Sequence, residues 1–190
     1  MTIPFNDINK KWTLFLDRDG VINQEKHAGY INTWEEFTFL DGVPEAIAVF
    51  TKYFGRIFVV TNQRGVGKGI TTLENLQLIH NNMKTKIQKL GGRIDEIYFC
   101  PDVENNSFNR KPNPGMAFQA KDTYPEINFN HSIMVGNTIS DMEFGKNIGA
   151  HTIFLPTTHP EINDSDSRID MVLDSLYSFS KILSAQKIIL

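Results

Sequence analysis

The chain holds 190 residues, 41% hydrophobic and 22% charged, with a net charge of −3 and a single cysteine. That length suits one domain, 1–190, burying roughly 70% of the surface its unfolded chain exposes, so no disulfide or metal staple is needed. One cysteine excludes an internal disulfide and a multi-cysteine zinc site, the acidic balance argues against a nucleic-acid partner, and no apolar run approaches the ~18 residues of a membrane span. Met1–Trp12 is polar and has no signal-peptide core, so the expectation is a cytoplasmic protein.

In chain order, Thr13–Leu16 reads as a first strand running into Asp17-Arg18-Asp19-Gly20. Asn23–Leu40 is irregular, and Val43–Tyr53 is a helix with Val43, Ile47 and Phe50 on one face. Arg56–Val60 is the second strand and ends at Thr61–Asn62. Gly65, Gly67 and Gly69 around Lys68 read as a flexible segment. They fail the nucleotide-loop pattern, because Lys68 is followed by Gly69 and the residue five before Gly67 is Asn62. Thr71 or Thr72 caps a helix through Leu90, with Glu74 as capping-box partner. Its apolar stripe is Leu73, Leu76, Ile79, Met83, Ile87 and Leu90, and Gly91–Gly92 stop it.

Asp95–Phe99 is the third strand, followed by the irregular Pro101–Asn113. Pro114 opens a helix toward Asp122 at a first-turn position. Ser132–Val135 and Thr152–Leu155 are the fourth and fifth strands, with a helix over Ser140–Ile148 between them, ending at Gly149. Thr157–Arg168 is irregular, Asp170–Leu173 is a weaker strand, and Ser175–Leu190 is a last helix. Nearly continuous apolar strands alternating with helices predict an α/β fold. Its sheet is doubly wound, mainly parallel and Rossmann-like, with helices on both faces and no large cap.

Such sheets bind ligands beyond the carboxyl ends of their strands. There the chain places Asp17 and Asp19, then Thr61, Asn62 and Gln63, then Arg110 and Lys111, then Asn137 and Asp141. Two carboxylates two residues apart can share a hard divalent cation, which favours Mg²⁺. The first can attack phosphorus; the second can protonate a leaving oxygen and later deprotonate water. Thr61 and nearby N–H groups can hold phosphate oxygens, and Lys111, fixed before two prolines, supplies a point charge. Arg110 can reach a second anionic or polar group. Asp141 can hold the cation, order its waters or pair with Lys111.

The motifs Asp17-Arg18-Asp19-Gly20-Val21-Ile22-Asn23, Val60-Thr61-Asn62-Gln63, Arg110-Lys111-Pro112-Asn113-Pro114 and Val135-Gly136-Asn137-Thr138-Ile139-Ser140-Asp141 occur in this order. Over Leu14 to Leu155 the chain thereby resembles the haloacid-dehalogenase superfamily of aspartate-nucleophile phosphatases. It is most similar to the small, nearly capless branch acting on heptose bisphosphates and histidinol phosphate. Gly29-Tyr30-Ile31, Trp34-Glu35-Glu36-Phe37 and Phe39-Leu40-Asp41-Gly42-Val43 favour the heptose side.

The resemblance implies Asp17 as nucleophile, Asp19 as general acid/base, and Thr61 and Lys111 as holders of the transferring phosphoryl group. It implies Mg²⁺ on Asp17 and the Asp19 carbonyl, with Asn137 and Asp141 completing the metal site. His27, Gly29, Tyr30, Asn62, Gln63, Arg64 and Arg110 line the substrate side. The implied partner is a small phosphorylated sugar, with neither nucleic acid nor membrane, and the chain is expected to be a monomer.

Two departures stand out. Relatives commonly carry a zinc site in the third loop. Here Cys100 holds the first ligand position, while Asp102, Ser107 and Asn109 fall where the other three would be, so no zinc is expected. Asn137 replaces a usual aspartate and lowers the charge offered to Mg²⁺. The rival readings are a histidinol-phosphate or broad phosphatase, and a weakly active phospho-ligand binding module. A polynucleotide 3′-phosphatase is disfavoured by the acidic balance.

Overall fold

The computed structural model describes residues 2–162 and 165–186. Six parallel strands form one sheet in the order β3-β2-β1-β4-β5-β6. They are β1 (Thr13–Leu16), β2 (Arg56–Asn62), β3 (Glu96–Cys100), β4 (Ser132–Gly136), β5 (His151–Phe154) and β6 (Met171–Val172). The helices are α1 (Val43–Tyr53), α2 (Arg64–Gly67), α3 (Leu73–Lys89), α4 (Gly115–Thr123), α5 (Ile139–Ile148) and α6 (Leu176–Gln186). The expected extension of the last helix to Leu190 lies outside the described residues. Among the described residues no helix is long and apolar enough to cross a membrane.

The two-residue side-chain period divides each central strand between two layers. Leu14 and Leu16 of β1, with Ile57, Val59, Ile133 and Val135, pack with Ile47 and Phe50 of α1, Ile79 and Met83 of α3, and Phe179 and Leu183 of α6. Phe15, Phe58, Val60 and Met134 pack with Met116, Ala117 and Ala120 of α4 and Phe144 and Ile148 of α5. Each large side chain buried this way stabilises the fold by roughly 1.5–3 kcal/mol.

Local details depart from expectation for identifiable reasons. Thr72, not Thr71, is the cap of α3, its hydroxyl accepting the Asn75 N–H at 3.1 Å. That puts Asn75 at the third helical position, so Glu74 forms no capping box. Thr71 instead donates to the Asn32 carbonyl and ties α3 to the 23–40 loop. Leu73 and Leu90 are exposed, and His80 joins Leu76, Ile79, Met83 and Ile87 on the buried face. The glycine segment is not loose: Arg64–Gly67 winds one helical turn, and the N–H groups of Ile70 and Thr71 both donate to the Gly65 carbonyl. Pro114 is the cap residue of α4 rather than its first helical residue. Strand β2 runs through Thr61 and Asn62 because both pair with β3, opposite Phe99 and Cys100.

Chain order reverses across β1: β2 and β3 lie on one side of it, β4 and β5 on the other. The crevice opened by that reversal lies beyond Leu16, between the ends of β2 and β4.

Candidate active site

Asp17 follows β1, and its N–H donates to the Val135 carbonyl at 3.0 Å. The chain then folds back on itself, the Arg18 carbonyl accepting from Ile22 and Asn23. Gly20 is required at this turn: its φ is +74°, and a Cβ there would stand 2.0 Å from the Asn137 amide nitrogen. This close approach brings the loops after β1 and β4 together.

Lys111 reaches the same point from the loop after β3. Asn62 holds that loop by both ends of its amide, donating to the Lys111 carbonyl at 3.1 Å and accepting the Lys111 N–H at 3.0 Å. The buried Nζ lies 2.8 Å from Asp17 and 2.5 Å from Asp141. Burial opposes the lysine's charge, but Asp141 and Asp17 outweigh it and raise its proton affinity. For Asp17 burial dominates. Lys111 pulls the other way, Asp141 and Asp19 add repulsion, and the carboxyl is pushed up to about 7.

Asp141 sits at the start of α5 and completes a capping box with Thr138. Its Oδ2 accepts from the N–H groups of Asn137 and Thr138 and from the Thr138 hydroxyl, while Oδ1 faces Lys111. Of the three roles the sequence leaves open for it, the structure displays the pairing with Lys111. Both oxygens are thus engaged within the protein.

Asp19 is enclosed by donors. Arg18 Nη2 reaches both of its oxygens at 2.9 Å, Asn23 donates to one at 3.0 Å and Gln63 to the other at 2.9 Å. Burial opposes ionisation, but Arg18 and these amides more than offset it, holding the group below its ordinary value. The Gln63 amide also donates to the Thr61 hydroxyl at 2.9 Å and so couples the ends of β1 and β2.

Asn137 is fully buried. Its Nδ2 donates to the Thr158 hydroxyl at 2.8 Å and to Glu25 at 3.2 Å. Its Oδ1 is buried with no hydrogen-bond partner. An oriented, orphaned amide oxygen near a buried carboxylate suits a hard cation. Among the described residues no group of three His, Cys, Asp or Glu side chains is arranged to hold a metal. A cation here therefore needs the amide and main-chain oxygens as well.

Asp17, Asp19, Thr61, Asn62, Gln63, Arg110, Lys111, Asn137 and Asp141 line one cavity of about 320 Å³, with Gly29 and Tyr30 on its wall. His27 instead lines the adjoining depression with Gln24 and His159. Arg64 is bonded to Asn105 and does not line this cavity. Burial, and then the like charge of Arg64, depress the proton affinity of Arg110. The loop preceding Arg110 is held by hydrogen bonds: Ser107 donates to Asp102, its oxygen lies 3.9 Å from the buried Cys100 sulfur, and Asn113 donates to the Ser107 carbonyl.

The sequence gives no role to Arg18, His80, Glu25, Thr138 or Thr158, all of which bond to or sit against site residues. A histidine at an apolar position of the α3 stripe was the available signal for His80. Arg18 gave none, since an arginine between two aspartates reads as solvated.

A buried carboxyl, a lysine against it and an oxygen-rich crevice at the sheet's reversal suit a phosphoryl-handling α/β hydrolase. The family model described as HAD-hydrolase-like matches residues 108–179. The D-glycero-alpha-D-manno-heptose-1,7-bisphosphate 7-phosphatase of Mycobacterium tuberculosis is 32% identical over 171 residues, 90% of each chain. This chain belongs to the haloacid-dehalogenase-like phosphatases, hydrolases of phosphoric monoesters. Among its relatives, the D-glycero-beta-D-manno-heptose-1,7-bisphosphate 7-phosphatase of Escherichia coli is 32% identical over 184 residues, covering 92% of this chain and 94% of that one. The crystal structure of D,D-heptose 1,7-bisphosphate phosphatase from B. bronchiseptica, complexed with magnesium and phosphate, superposes with a TM-score of 0.82 at 25% identity. It covers 92% of this chain and 99% of its own.

Proposed function

We propose that the protein removes the 7-phosphate of a D-glycero-D-manno-heptose 1,7-bisphosphate through an aspartyl-phosphate on Asp17. The observation carrying the chemistry is the buried Asp17 carboxylate 2.8 Å from Lys111 Nζ on the cavity wall. The substrate reading is supported by the relatives' names and by Arg110 on the cavity wall, whose cation suits a second phosphate.

In this reading an oxygen of Asp17 attacks phosphorus, and the bond from phosphorus to the sugar oxygen breaks. Asp19 delivers its proton to that oxygen. The incoming phosphate monoester raises the proton affinity of Asp19 by like-charge repulsion, which loads it for this step. Asp19 then takes a proton from water as the water attacks the phosphoenzyme, freeing phosphate and Asp17. Lys111 and the Thr61 hydroxyl hold the phosphoryl oxygens as their charge develops. Mg²⁺ would be held by Asp17, the Asp19 carbonyl and the Asn137 amide oxygen. When bound, it neutralises charge on Asp17 and the phosphate.

Adding Mg²⁺ to the substrate-free protein is expected to raise its melting temperature saturably, because ligand bound only to the folded state stabilises it. Asn137→Asp should tighten this response, but its new carboxylate would face Glu25. The paired Asn137→Asp, Glu25→Gln variant is therefore the clean comparison. It should lower the half-saturating Mg²⁺ by roughly tenfold, about 1.4 kcal/mol. An unchanged or higher value would remove Asn137 from the ligand set.

The substrate test is phosphate release from both anomers of the heptose bisphosphate, histidinol phosphate and 4-nitrophenyl phosphate. We expect kcat/KM for one bisphosphate anomer to exceed that for histidinol phosphate by about 100-fold, or some 2.7 kcal/mol. Arg110→Ala should cost the bisphosphate about tenfold more than the aryl phosphate. Equal turnover of all substrates would replace this reading with that of a broad phosphatase.

A further inference from the structure

We propose that His80 is a positioning residue for this reaction, fixing the Asp19 carboxylate through the buried guanidinium of Arg18. The proposal rests on the acid/base role assigned to Asp19.

Arg18 lies between two aspartates in the sequence, yet its side chain is only 1% exposed. Its guanidinium has two occupied ends. Nη2 bonds both Asp19 oxygens at 2.9 Å, Nε reaches one of them at 3.3 Å, and Nη1 lies 3.2 Å from His80 Nε2. A guanidinium can only donate, so Nε2 must offer its lone pair. The imidazole is neutral: burial, and then the Arg18 charge, push His80 down to about 3. The ring is buried on the inward face of α3, with Phe99 6.0 Å away between ring centroids.

Asn23 and Gln63 each hold a single oxygen of Asp19, whereas Arg18 holds both. The guanidinium plane thus sets the orientation of the carboxylate. Arg18 has several rotatable bonds, and its backbone alone does not fix that plane. His80 supplies the second point of attachment, from an element 62 residues further along the chain. It adds no charge, so its effect is geometric.

The test separates positioning of an acid from general damage. A sugar phosphate has a poor leaving group that needs a proton, whereas 4-nitrophenolate leaves without one. The comparison uses kcat/KM, which reports the steps through bond cleavage and not the later phosphoenzyme hydrolysis common to both substrates. His80→Leu is expected to lower kcat/KM for the sugar phosphate by about tenfold or more, and for the aryl phosphate by no more than about threefold. His80→Gln, whose amide oxygen can accept from Arg18, should restore the sugar phosphate to within about threefold of wild type. Should His80→Leu fail to fold, His80→Asn, polar but too short to reach Arg18, carries the same comparison.

Equal losses on both substrates, or no loss in a folded variant, would overturn the proposal. Asp19→Asn is the control for the reading beneath it. If that variant also fails to discriminate between leaving groups, the acid/base assignment falls and the positioning role falls with it. If Asp19→Asn discriminates and His80→Leu does not, only the His80 role is refuted.

Discussion

Asp17→Asn is expected to lower kcat/KM by at least about 10⁴-fold while leaving the fold intact. The amide has nearly the shape of the carboxylate but cannot form an acyl phosphate. Lys111 keeps its 2.5 Å partner Asp141, so no buried cation is orphaned. Stability should change in a defined direction. Asp17 ionises from its ordinary 3.8 in the unfolded chain but near 7 in the folded protein. The folded state thus binds the extra proton between those values, and wild-type stability falls as pH rises through that window. The amide does not titrate, so the variant gains relative to wild type from pH 5 to pH 8. Melting curves at the two pH values test the sign, and hydroxylamine trapping tests for the phosphoenzyme. Activity within tenfold of wild type would refute the nucleophile assignment.

Lys111→Met is expected to damage both rate and stability. The lysine stands between two buried carboxylates, and its removal leaves them facing one another. Breaking such a buried pairing costs about 3–5 kcal/mol, and losing a charge that stabilises the transition state costs about 10²–10³ in rate. Without the cation, Asp17 holds its proton to higher pH in the folded state than in wild type. The stability deficit therefore grows as pH rises through and beyond about 7. Urea unfolding at pH 5 and pH 8 measures this. Equal deficits at both values would show that the lysine is not the neutralising partner.

The strands and most helices were legible because their signals are local. Thr13–Leu16 and Val43–Tyr53 emerge with the boundaries read from the sequence, since apolar runs and helical spacing need no knowledge of neighbours. The parallel doubly wound sheet followed from strand–helix alternation. Details set by tertiary partners were not legible. The choice of Thr72 over Thr71 depends on Asn32 drawing Thr71 away. The ordered turn at Arg64–Gly67 depends on packing, as Gly65 meets the Tyr30 ring.

In the site, motif order pointed to the residues lining the cavity, but not to which oxygen faces what. Asn62 reads as a substrate contact, while its amide clamps the backbone of Lys111. Asp141 reads equally well as a cation ligand or a lysine partner, and only the structure shows one oxygen capping α5 and the other facing Lys111. Arg18 was hidden because charged side chains are assumed to face water, and a burial compensated by ion pair and imidazole leaves no local trace.

The strand order has a consequence for synthesis. The central strand β1 is made first, but one of its edges waits for β4, which begins at Ser132. A nascent chain emerging from the ribosome therefore carries Leu14, Phe15 and Leu16 with an open hydrogen-bonding edge until Ser132–Gly136 has been translated. Exposed apolar strand edges invite self-association. Chains truncated before Ser132 should thus be poorly soluble, and the step that closes this edge is also the one that brings Asn137 and Asp141 to Asp17. The pairing of β1 with β4 thus both closes the sheet's centre and assembles the site.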